Sequence, residues 1–529
     1  MDRATDSLWL ADGSLPNFDS LGADLECEVL VIGAGIAGLS IAYSLCKEGK
    51  TVIVVDDGSL GGGETERTTA HVTAVLDKRY AELEKWHGAE NTRLIAASLR
   101  ESIERISQIV IDENIDCNFE RKDAYLFMNS NGDRDVLDVE MEAMQRVGFA
   151  DVEFVPAVPL PTSESRPCLK IPNQAQFHVL RYLRGVVKAI QRMGGKIFCD
   201  THVNSIKDGT IAEALTDSGH TIRARHVVVA TNSPVSNLFA IHTKQAAYRS
   251  YVIAAEIDEE ADINGMFWDT ANPYHYLRTE KIYDKRYLIV GGEDRKTGQD
   301  EEYSKHFQAL EDWTEALMPD VGPVEFRWSG QVYEPVDGIA YIGHDPGHRQ
   351  NIYVATGFSG VGMTQGMLSG LIITDLIMNR GNIYSDIYKP TRKTVGTVET
   401  YLKENVNTAA QYADHFKPAE VHEADIAPGE GAIIQHGTEK MAVYRDEYGQ
   451  LHRMSAVCPH MKALVRWNPV EASWDCPAHG SRFDALGGIL DGPANCDLKA
   501  CPLTLDDEQL EMSREPGLMI GPDDAVQTV

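Results

Sequence analysis

The stretch Glu28-Val-Leu-Val-Ile-Gly-Ala-Gly-Ile-Ala-Gly38 decides the fold of the N-terminal part of this chain. Its apolar, β-branched first half predicts a strand buried on both faces, as in a parallel sheet. The glycines then form a G-x-G-x-x-G turn, and the apolar pattern after them predicts a helix that ends near Gly49. A second strand, residues 51–55, ends at Asp56. This order of elements predicts a Rossmann-like α/β dinucleotide-binding unit.

Each part of the glycine turn has its own physical role. Gly33 permits the tight turn, Gly35 lets a pyrophosphate approach the backbone, and Gly38 lets the helix pack closely on the sheet. The helix N-terminus, at Ile36 and Ala37, offers free N–H groups and a partial positive charge to phosphates. We therefore expect all five residues to bind the cofactor.

Two further polar turns follow apolar strands. Asp56, eighteen residues after Gly38, is placed to accept hydrogen bonds from an adenosine ribose, with Asp57 as a second, less favoured ligand. The strand near 225–230 ends in a small polar turn, and the strand near 351–356 breaks into a glycine-rich loop before a helix. That second loop-to-helix junction points another helix N-terminus at an anion, such as the pyrimidine ring of a reduced flavin.

Residues 1 to about 395 resemble the D-amino-acid oxidase / glycine oxidase class of FAD-dependent amine oxidoreductases. The resemblance implies an α/β FAD-binding domain of the glutathione-reductase type with an α+β substrate domain. It places FAD-binding segments at about 27–80, 150–245 and 326–385, and substrate-binding segments at about 81–149 and 246–325. The segments that carry it are Ser7-Leu-Trp9, the glycine turn, Gly63–His71, Trp328-Ser-Gly330, Asp337-Gly338, Ile342-Gly343 and Ala355-Thr-Gly-Phe358.

In that class the loop at 63–73 runs beneath the isoalloxazine, and the loop at 357–362 meets its pyrimidine edge. Thr68 stands where members with histidyl-linked flavin carry histidine, and the second loop has no cysteine, so we expect FAD to be bound non-covalently. The further FAD-binding residues implied by the resemblance are Arg67, Thr68, Thr69, Ala70, His71, Val203, Ala230, Thr231, Gly357, Phe358, Gly360, Val361, Gly362 and Met363.

Four residues are predicted to act on the substrate. His71 stands close to the expected flavin ring, either as a hydrogen-bond donor or base, or as a packing or capping histidine. Tyr274, Tyr276 and Arg278 alternate, so a strand places them on one face, over the flavin. Tyr251 is a further candidate for this pocket. Tyrosines are also simply good strand formers, and that interpretation stays open.

A second motif lies near the C-terminal end of the chain. Cys458-Pro-His460 is followed, after fifteen residues, by Cys476-Pro-Ala-His479, within short strands and turns that predict a small all-β module. Two cysteines and two histidines could bind zinc tetrahedrally. However, each loop supplies one thiolate and one imidazole, whereas a Rieske centre holds one iron with both thiolates and the other with both imidazoles.

The module resembles the Rieske [2Fe–2S] domain over its whole length, at about 426–515, after a connector at about 396–425. The resemblance implies that Cys458, His460, Cys476 and His479 ligate the cluster. Ser481 keeps the hydroxyl expected to donate to a cluster sulfide, whereas Phe483 replaces the tyrosine of respiratory members. We therefore expect a lowered potential, because hydrogen bonds to sulfur favour the reduced cluster.

Charge and composition exclude several classes of partner. The net charge of −31 would repel a phosphate backbone, so we expect no nucleic acid partner. The longest apolar run, Val29 to Leu45, falls short of the ~20 residues of a spanning helix, so we expect no membrane span. The acidic N-terminal stretch is not a signal peptide, and nine cysteines in 529 residues do not form a disulfide framework. We expect a cytoplasmic protein.

Electron counting connects the two predicted cofactors. A C–H donor gives up two electrons as a hydride, which flavin accepts, and a Rieske cluster moves one electron at a time. We therefore expect an FAD-dependent oxidoreductase that oxidises an amine or amino acid and passes electrons through its cluster to an acceptor protein, quinone or oxygen. Two alternatives stay open: a flavin/Rieske electron-transfer protein, and a reductase or monooxygenase that runs electrons inward.

Overall fold

The computed structural model describes residues 6–13, 15–130, 132–162, 165–234, 239–300, 302–347, 351–418, 421–437 and 439–501. Residues 502–515 of the predicted Rieske domain lie outside the described residues. The α-helices are α1 Ile36–Lys47, α2 Tyr80–His87, α3 Ala89–Asp112, α4 Asp135–Arg146, α5 Val179–Arg192, α6 Phe239–His242, α7 Tyr303–Leu317, α8 Gly362–Ile377, α9 Ser385–Tyr388 and α10 Val398–Gln411.

The strands, in chain order, are β1 Leu25–Ile32, β2 Val52–Val55, β3 His71–Val72, β4 Glu120–Phe127, β5 Glu153–Val155, β6 Cys168–Gln176, β7 Lys196–Phe198, β8 Val203–Lys207, β9 Ala212–Thr216, β10 Thr221–Val229, β11 Gln245–Ile257, β12 Met266–Asp269, β13 Tyr276–Ile282, β14 Lys285–Lys296, β15 Val324–Pro335, β16 Tyr341–His344, β17 Ile352–Thr356, β18 Gly431–His436, β19 Glu439–Arg445, β20 Leu451–Ser455, β21 Arg466–Asn468, β22 Ser473–Asp475, β23 Arg482–Asp484 and β24 Ile489–Asp491.

The first sheet is the predicted dinucleotide-binding sheet. Its order is β16-β17-β10-β1-β2-β7, with β8 and β9 attached at β10. Strand β1 pairs in parallel with both β10 and β2, and its last four residues are buried. The buried parts of these strands are covered on both faces and consist of β-branched and aliphatic residues: 29–32 of β1, Val52–Val55 and 227–229 of β10. The α/β fold expected from the sequence is confirmed.

The second sheet forms the roof of the cavity described below. Its order is β15-β11-β14-β13-β12-β4-β6-β3, with β5 paired to β6. Strand β6 lies within the stretch 150–245 that the resemblance placed in the FAD-binding half, yet it pairs with β4 through apolar partners such as Leu126 and Leu169. Strands β4 and β6 therefore pair because their apolar residues lie on the same buried face, although the two strands come from different predicted segments of the chain.

The C-terminal module is the predicted small all-β domain. Antiparallel sheets β18-β19-β20 and β21-β22-β23-β24 enclose a core that includes both cluster cysteines, Trp474 and Phe483. The connector before it contains α10, which is 14 residues long and has no buried residue among those described. The all-β domain is confirmed.

One helical stretch, Ser359–Ile377, is long and apolar enough by composition to cross a membrane. Within the described residues, 72% of its apolar window is buried inside the protein. Most of this stretch is α8, whose glycines Gly366 and Gly370 approach Ala37 and Ser40 of α1. The helix therefore occupies the core of the FAD-binding fold.

Candidate functional site

A cavity of about 770 Å³ lies where the two large sheets and the C-terminal domain meet. This volume is within the roughly 300–1,000 Å³ of small-molecule and cofactor sites. Most of the predicted residues share its wall: Gly33, Gly35, Ile36, Ala37, Asp56, Asp57, Arg67, Thr68, Thr69, His71, Val203, Ala230, Thr231, Tyr274, Tyr276, Phe358, Gly360, Val361, Gly362 and Met363. Gly38, Ala70, Gly357 and Arg278 are outside it.

The glycine turn has the geometry that a dinucleotide requires. Gly33 has a φ of +103°, and a Cβ there would lie 2.4 Å from the carbonyl oxygen of Ala230. A Cβ on Gly38 would lie 1.8 Å from the carbonyl oxygen of Gly33, so only glycine allows α1 to approach the turn. Helix α1 begins at Ile36, whose N–H donates to the Thr65 hydroxyl at 3.1 Å. Its N-cap, Gly35, has no side chain to cap the N–H groups that follow, so the positive end of the helix faces the cavity. These residues fit FAD.

Asp56 both lines the cavity and holds the turn. The N–H groups of Ala34 and Gly58 donate to its two carboxylate oxygens, at 2.5 and 3.0 Å. Burial, together with the charge of Asp57, raises the pKa of Asp56 to about 6. Each carboxylate oxygen has a second lone pair, so both can still accept a ribose hydroxyl. Asp57 is more exposed and pairs with His202 at 3.3 Å.

His71 is buried on the cavity wall, with 6% of its surface exposed. Its Nδ1 forms a 3.0 Å hydrogen bond with the Thr69 hydroxyl, and its Nε2 has no partner among the described residues. The ring packs against Trp268 and Tyr276. Burial and the nearby Arg278 charge lower the pKa of His71 well below its usual range, so the ring is neutral at pH 7. The ring is therefore a weak base, and its tautomer decides whether Nε2 donates or accepts a hydrogen bond.

The two predicted tyrosines of the roof do reach the cavity. Tyr274 lies just before β13 and donates its hydroxyl hydrogen to Asp77 at 2.7 Å. The hydroxyl of Tyr276, at the start of β13, lies 2.9 Å from that of Ser250. Tyr251 does not share this position: it packs against Phe307 in the core behind the second sheet.

Arg278 corrects an expectation from the sequence. Its side chain is fully buried, and its guanidinium donates to the carbonyl oxygens of Thr69 and Phe177 and to the carboxylate of Glu280. Alternation does place it on the same face as Tyr276, but the loop at 63–73 covers that part of the face. Arg278 therefore supports the loop and lies outside the cavity.

Sequence reasoning missed seven of the nine carboxylate residues that line the cavity. Three of the seven we call the acidic wall: Asp77, Asp294 and Glu334. The hydroxyl of Ser359 lies 2.7 Å from a carboxylate oxygen of Asp77 and 2.6 Å from one of Glu334. Burial, then the charge of Asp77, raises the pKa of Glu334 to about 7. Burial also raises that of Asp294 to about 7. No short motif marks these residues, because they come from separate segments.

The four predicted cluster ligands meet at the tip of the C-terminal domain. Cys458 and Cys476 are buried, and the imidazole rings of His460 and His479 lie 5.0 Å apart. The Nδ1 atoms of both histidines are buried without a partner among the described residues. Hydrogen bonding from the Cys476 thiol lowers the pKa of Cys458 to about 7 against its burial, which favours the thiolate that binds iron.

The arrangement of these side chains fits two irons better than one metal ion. No group of three or more His, Cys, Asp or Glu side chains converges on a single point in the described part of the chain. A mononuclear zinc site would need such convergence. A [2Fe–2S] cluster needs a cysteine pair and a separate histidine pair, and the two loops present these pairs.

The cluster loops are docked on the FAD-binding part. Gln331 donates to the carbonyl oxygen of Gly480 at 2.9 Å, and Gln299 donates to that of Pro477 at 2.8 Å. Gly480 has a φ of +83°, and a Cβ there would lie 2.3 Å from the Cβ of Ala247. Glycine is therefore required at the closest point of contact. The loop at 489–497, after the cluster loops, lines the cavity itself.

Comparison with known proteins divides the chain in the same way, into an FAD-dependent oxidoreductase part and a C-terminal Rieske domain. The FAD dependent oxidoreductase family matches residues 28–376, and the Rieske [2Fe-2S] domain matches residues 417–502. The chain is 32% identical over 508 residues to the "Putative Rieske 2Fe-2S iron-sulfur protein YhfW" of Bacillus subtilis, over 95% of this chain and 98% of that protein.

Gamma-glutamylputrescine oxidoreductase of Escherichia coli is 23% identical over 373 residues, which cover 68% of this chain and 85% of that protein. The crystal structure of glycine oxidase from Geobacillus kaustophilus has the same fold, with a TM-score of 0.61 at 18% identity over 70% of this chain and 99% of that chain. The chain therefore belongs to the FAD-dependent oxidoreductases of the amino-acid and amine oxidase type, binds FAD, and carries a C-terminal Rieske domain that binds a [2Fe–2S] cluster.

Proposed function

We propose that this protein oxidises an amine or amino acid at its FAD and passes the electrons one at a time through its own Rieske cluster to an acceptor. Bound FAD supplies the acceptance of a hydride, and the cluster supplies one-electron transfer. The observation that carries the proposal is the docking of the cluster loops on the wall of the FAD cavity.

A short chain of contacts joins the cavity to the cluster site. Tyr333 lines the cavity and donates to the carbonyl oxygen of Gly492 at 2.8 Å. Two residues later, the N–H of Ala494 donates to the Ser481 hydroxyl at 3.0 Å. That hydroxyl is hydrogen-bonded to Cys458, whose pKa it lowers. One loop of protein therefore separates the cavity from a cluster ligand.

The imidazole edge of the cluster site also faces the FAD-binding part. His242, in α6, packs its ring 5.0 Å from that of His460, and only 5% of His242 is exposed. His479 is 9% exposed. The domain contact therefore covers His479, while His460 is half-buried beside His242. This supports electron transfer within one chain.

On the substrate side we assign roles to three wall residues. The substrate amine reacts in its unprotonated form after losing its proton to water, because the lowered pKa of buried His71 makes that ring too weak a base to take it. His71 instead packs on Tyr276 and supports the roof. Tyr274 and Tyr276 shape the roof above the reacting carbon. The amine then becomes an iminium ion as two electrons leave, and water hydrolyses it to a carbonyl product and ammonium.

The acceptor is a one-electron partner protein, a quinone or oxygen. The sequence contains one strand–G-x-G-x-x-G–helix unit, which the FAD occupies, so we assign electron entry to an organic substrate rather than to NAD(P)H. None of the nine cysteines forms a disulfide in the described part of the chain, which supports our placing the protein in the reducing cytoplasm.

The test is anaerobic mixing of the holoprotein with a panel of amines and amino acids. We expect an active substrate to bleach the flavin, and His479→Cys to leave that bleaching intact while slowing turnover with a one-electron acceptor. His422→Cys, on an exposed histidine of the connector, is the matched control. Bleaching by none of the panel, together with flavin reduction from an added reduced ferredoxin, would contradict the proposal in favour of inward flow.

A further inference from the structure

The Rieske domain supplies part of the wall of the FAD cavity. Eight of the described wall residues come from this domain, and all eight lie in one segment, residues 489–497, which we call the closing loop. The other wall residues lie between Ile32 and Met363, in the FAD-binding part. The closing-loop residues on the wall are Ile489, Leu490, Asp491, Gly492, Ala494, Asn495, Cys496 and Asp497. The cavity is therefore complete only when the two parts of the chain are docked.

The closing loop lies at the end of the cavity where the adenosine of FAD is expected. Asp56, the predicted ribose ligand, and Asp57 mark that end. The Nδ1 atom of His202 lies 3.3 Å from a carboxylate oxygen of Asp57, and its Nε2 atom lies 3.3 Å from the carbonyl oxygen of Asn495. The side-chain amide of Asn495 also donates to the carbonyl oxygen of Asn204 at 2.9 Å. One histidine side chain therefore connects the ribose end to the Rieske domain.

His202 is suited to hold the loop in this position. Both of its ring nitrogens face acceptors, so only the protonated imidazole can donate to both at once. The hydrogen bond with Asp57 raises the pKa of His202 against the effect of its burial, which favours that protonated form. The contact between the loop and the ribose end is therefore charge-assisted.

The closing loop also presents apolar surface at the edge of the cavity. Leu490 lines the cavity although 53% of its surface is exposed, and Ile489 beside it is half-buried. Val203 lines the same end from the FAD-binding part, and its carbonyl oxygen accepts a hydrogen bond from Asn495 at 3.4 Å. An adenine ring is flat with apolar faces, so a ring that packs on these side chains removes apolar surface from water.

The acidic residues of the loop do not exclude an anionic cofactor. Burial holds the pKa of Asp491 well above its usual range, and the Gln331 amide donates to its carboxyl group at 2.7 Å, so the neutral form is favoured. Asp497 is exposed to solvent and accepts the backbone N–H of Ile489 at 3.0 Å. The negative charge of FAD lies on its pyrophosphate, for which the glycine turn is the expected site, whereas the adenosine is uncharged.

We propose that the closing loop is part of the FAD site: it contacts the adenosine half of the cofactor, and FAD leaves the cavity only when the Rieske domain moves away. The glycine turn and Asp56 still supply the pyrophosphate and ribose contacts, so FAD binding does not require the cluster. The Rieske domain thus retains the flavin as well as accepting its electrons. This inference concerns cofactor binding alone and holds whichever substrate the protein oxidises.

Cys496 allows a direct test on the unmodified protein. It lies on the wall and is exposed, so its thiol reports what covers the closing loop. Bound FAD should slow alkylation of Cys496 by iodoacetamide about tenfold relative to the same protein after FAD has been removed, as measured by peptide mass spectrometry. FMN, which lacks the adenosine half, should not protect this thiol. Cys501 lies in the same domain but outside the cavity, and it should react equally in all samples.

A substitution at the domain contact gives a second readout. Gly298 is outside the cavity wall, and a Cβ on it would lie 2.8 Å from the carbonyl oxygen of Asp475 in the Rieske domain. Gly298→Ala should therefore displace the docked domain and raise the rate of FAD release about tenfold, as followed by the fluorescence of free FAD after dilution. An unchanged Rieske resonance verifies that the domain of this variant is folded.

The matched control for this variant is Gly194→Ala. Gly194 has a φ of +90°, comparable with the +68° of Gly298, so alanine is strained at both positions. A Cβ on Gly194 has no atom within 4 Å, and the residue lies outside the cavity. This variant should release FAD at the rate of the unmodified protein.

Two exposed leucines of the Rieske domain assign the effect to the closing loop. Leu490→Ala shortens a side chain on the wall and should raise the rate of FAD release about twofold or more. Leu486→Ala removes the same atoms from a leucine that is 60% exposed and lies outside the cavity, so it should leave the rate unchanged.

Equal alkylation of Cys496 with and without FAD would overturn the proposal, and so would protection by FMN as strong as that by FAD. Rates of FAD release that are unchanged in both Gly298→Ala and Leu490→Ala would overturn it as well. None of these measurements includes a substrate, so their outcome does not depend on the proposed function.

Discussion

The cluster loops and the acidic wall lie on opposite sides of one domain contact. They differ in the charge of their buried side chains. At the cluster loops, burial lowers the pKa of both His460 and His479 to about 4, so the imidazoles are neutral, and the surrounding core is apolar. At the acidic wall, carboxylates are held together by hydroxyl groups. A dry, neutral pocket suits a cluster that changes its charge by one electron. At the acidic wall the carboxylates instead share hydroxyl hydrogen bonds, and burial raises the pKa of Asp294 and Glu334 to about 7.

The largest effect should come from removing a cluster ligand. Cys476→Ser should abolish the Rieske electron paramagnetic resonance signal of the reduced protein, because serine does not replace a thiolate ligand. FAD should stay bound, since the glycine turn and its partners belong to the other domain. Cys496→Ser, an exposed cysteine of the same domain, should keep the signal. Stoichiometric zinc without iron in the unmodified protein would show that the two loops form a different site.

The contact between the two regions depends on a buried ion pair. Glu471 of the Rieske domain accepts hydrogen bonds from Arg249 at 2.5 Å and from Arg482 at 2.9 Å, and Arg249 is 1% exposed. Glu471→Gln removes the nearer of the two carboxylates beside buried Arg249, and the other, Glu64, is 3.8 Å away, so the free energy of unfolding should fall by about 3 kcal/mol. Denaturant titration measures this. Glu259→Gln, at an exposed pair with Lys281, should leave the unfolding midpoint unchanged.

The same pair predicts a dependence on pH. Burial alone would raise the pKa of Glu471, but the charges of Arg249 and Arg482 outweigh it and lower the pKa to about 2. The folded pKa is below the unfolded value of about 4.3. The stabilisation is therefore present above pH about 4.3 and is lost as the pH falls through about 2. In the Glu471→Gln variant, the free energy of unfolding should no longer show this loss at acid pH. If the variant and the unmodified protein lose stability equally as the pH falls, Glu471 is not ionised in the folded protein.

The contrast between the regions also explains what the sequence could predict. The cluster ligands lie within 458–479, so their spacing alone indicates a zinc or iron–sulfur site, and the resemblance to the Rieske domain selects the cluster. The glycine turn is local in the same way. The acidic wall draws Asp77 from the loop after β3, Asp294 from β14 and Glu334 from β15, and only the folded sheet brings them together. Arg278 was misassigned because alternation gives the face of a side chain but not the loop that covers it.

The smallest expected effect is a change in the reduction potential of the cluster. Phe483 is fully buried in the core beside the cluster cysteines. Phe483→Tyr would add one hydroxyl donor near the sulfur atoms, and a hydrogen bond to a charged group contributes about 1.5 kcal/mol. The potential should rise by about 60 mV for this one-electron couple, as measured by redox titration. An unchanged potential would mean that the ring edge does not face the cluster.

The central claim is that electrons pass from FAD to the cluster within one chain, across the docked interface. Rapid anaerobic mixing with a reducing amine, followed by freezing at successive times, separates the two events. We predict loss of flavin absorbance first, then growth of the Rieske resonance signal at a rate independent of protein concentration. A cluster signal that precedes flavin reduction, or a rate proportional to protein concentration, would contradict the account.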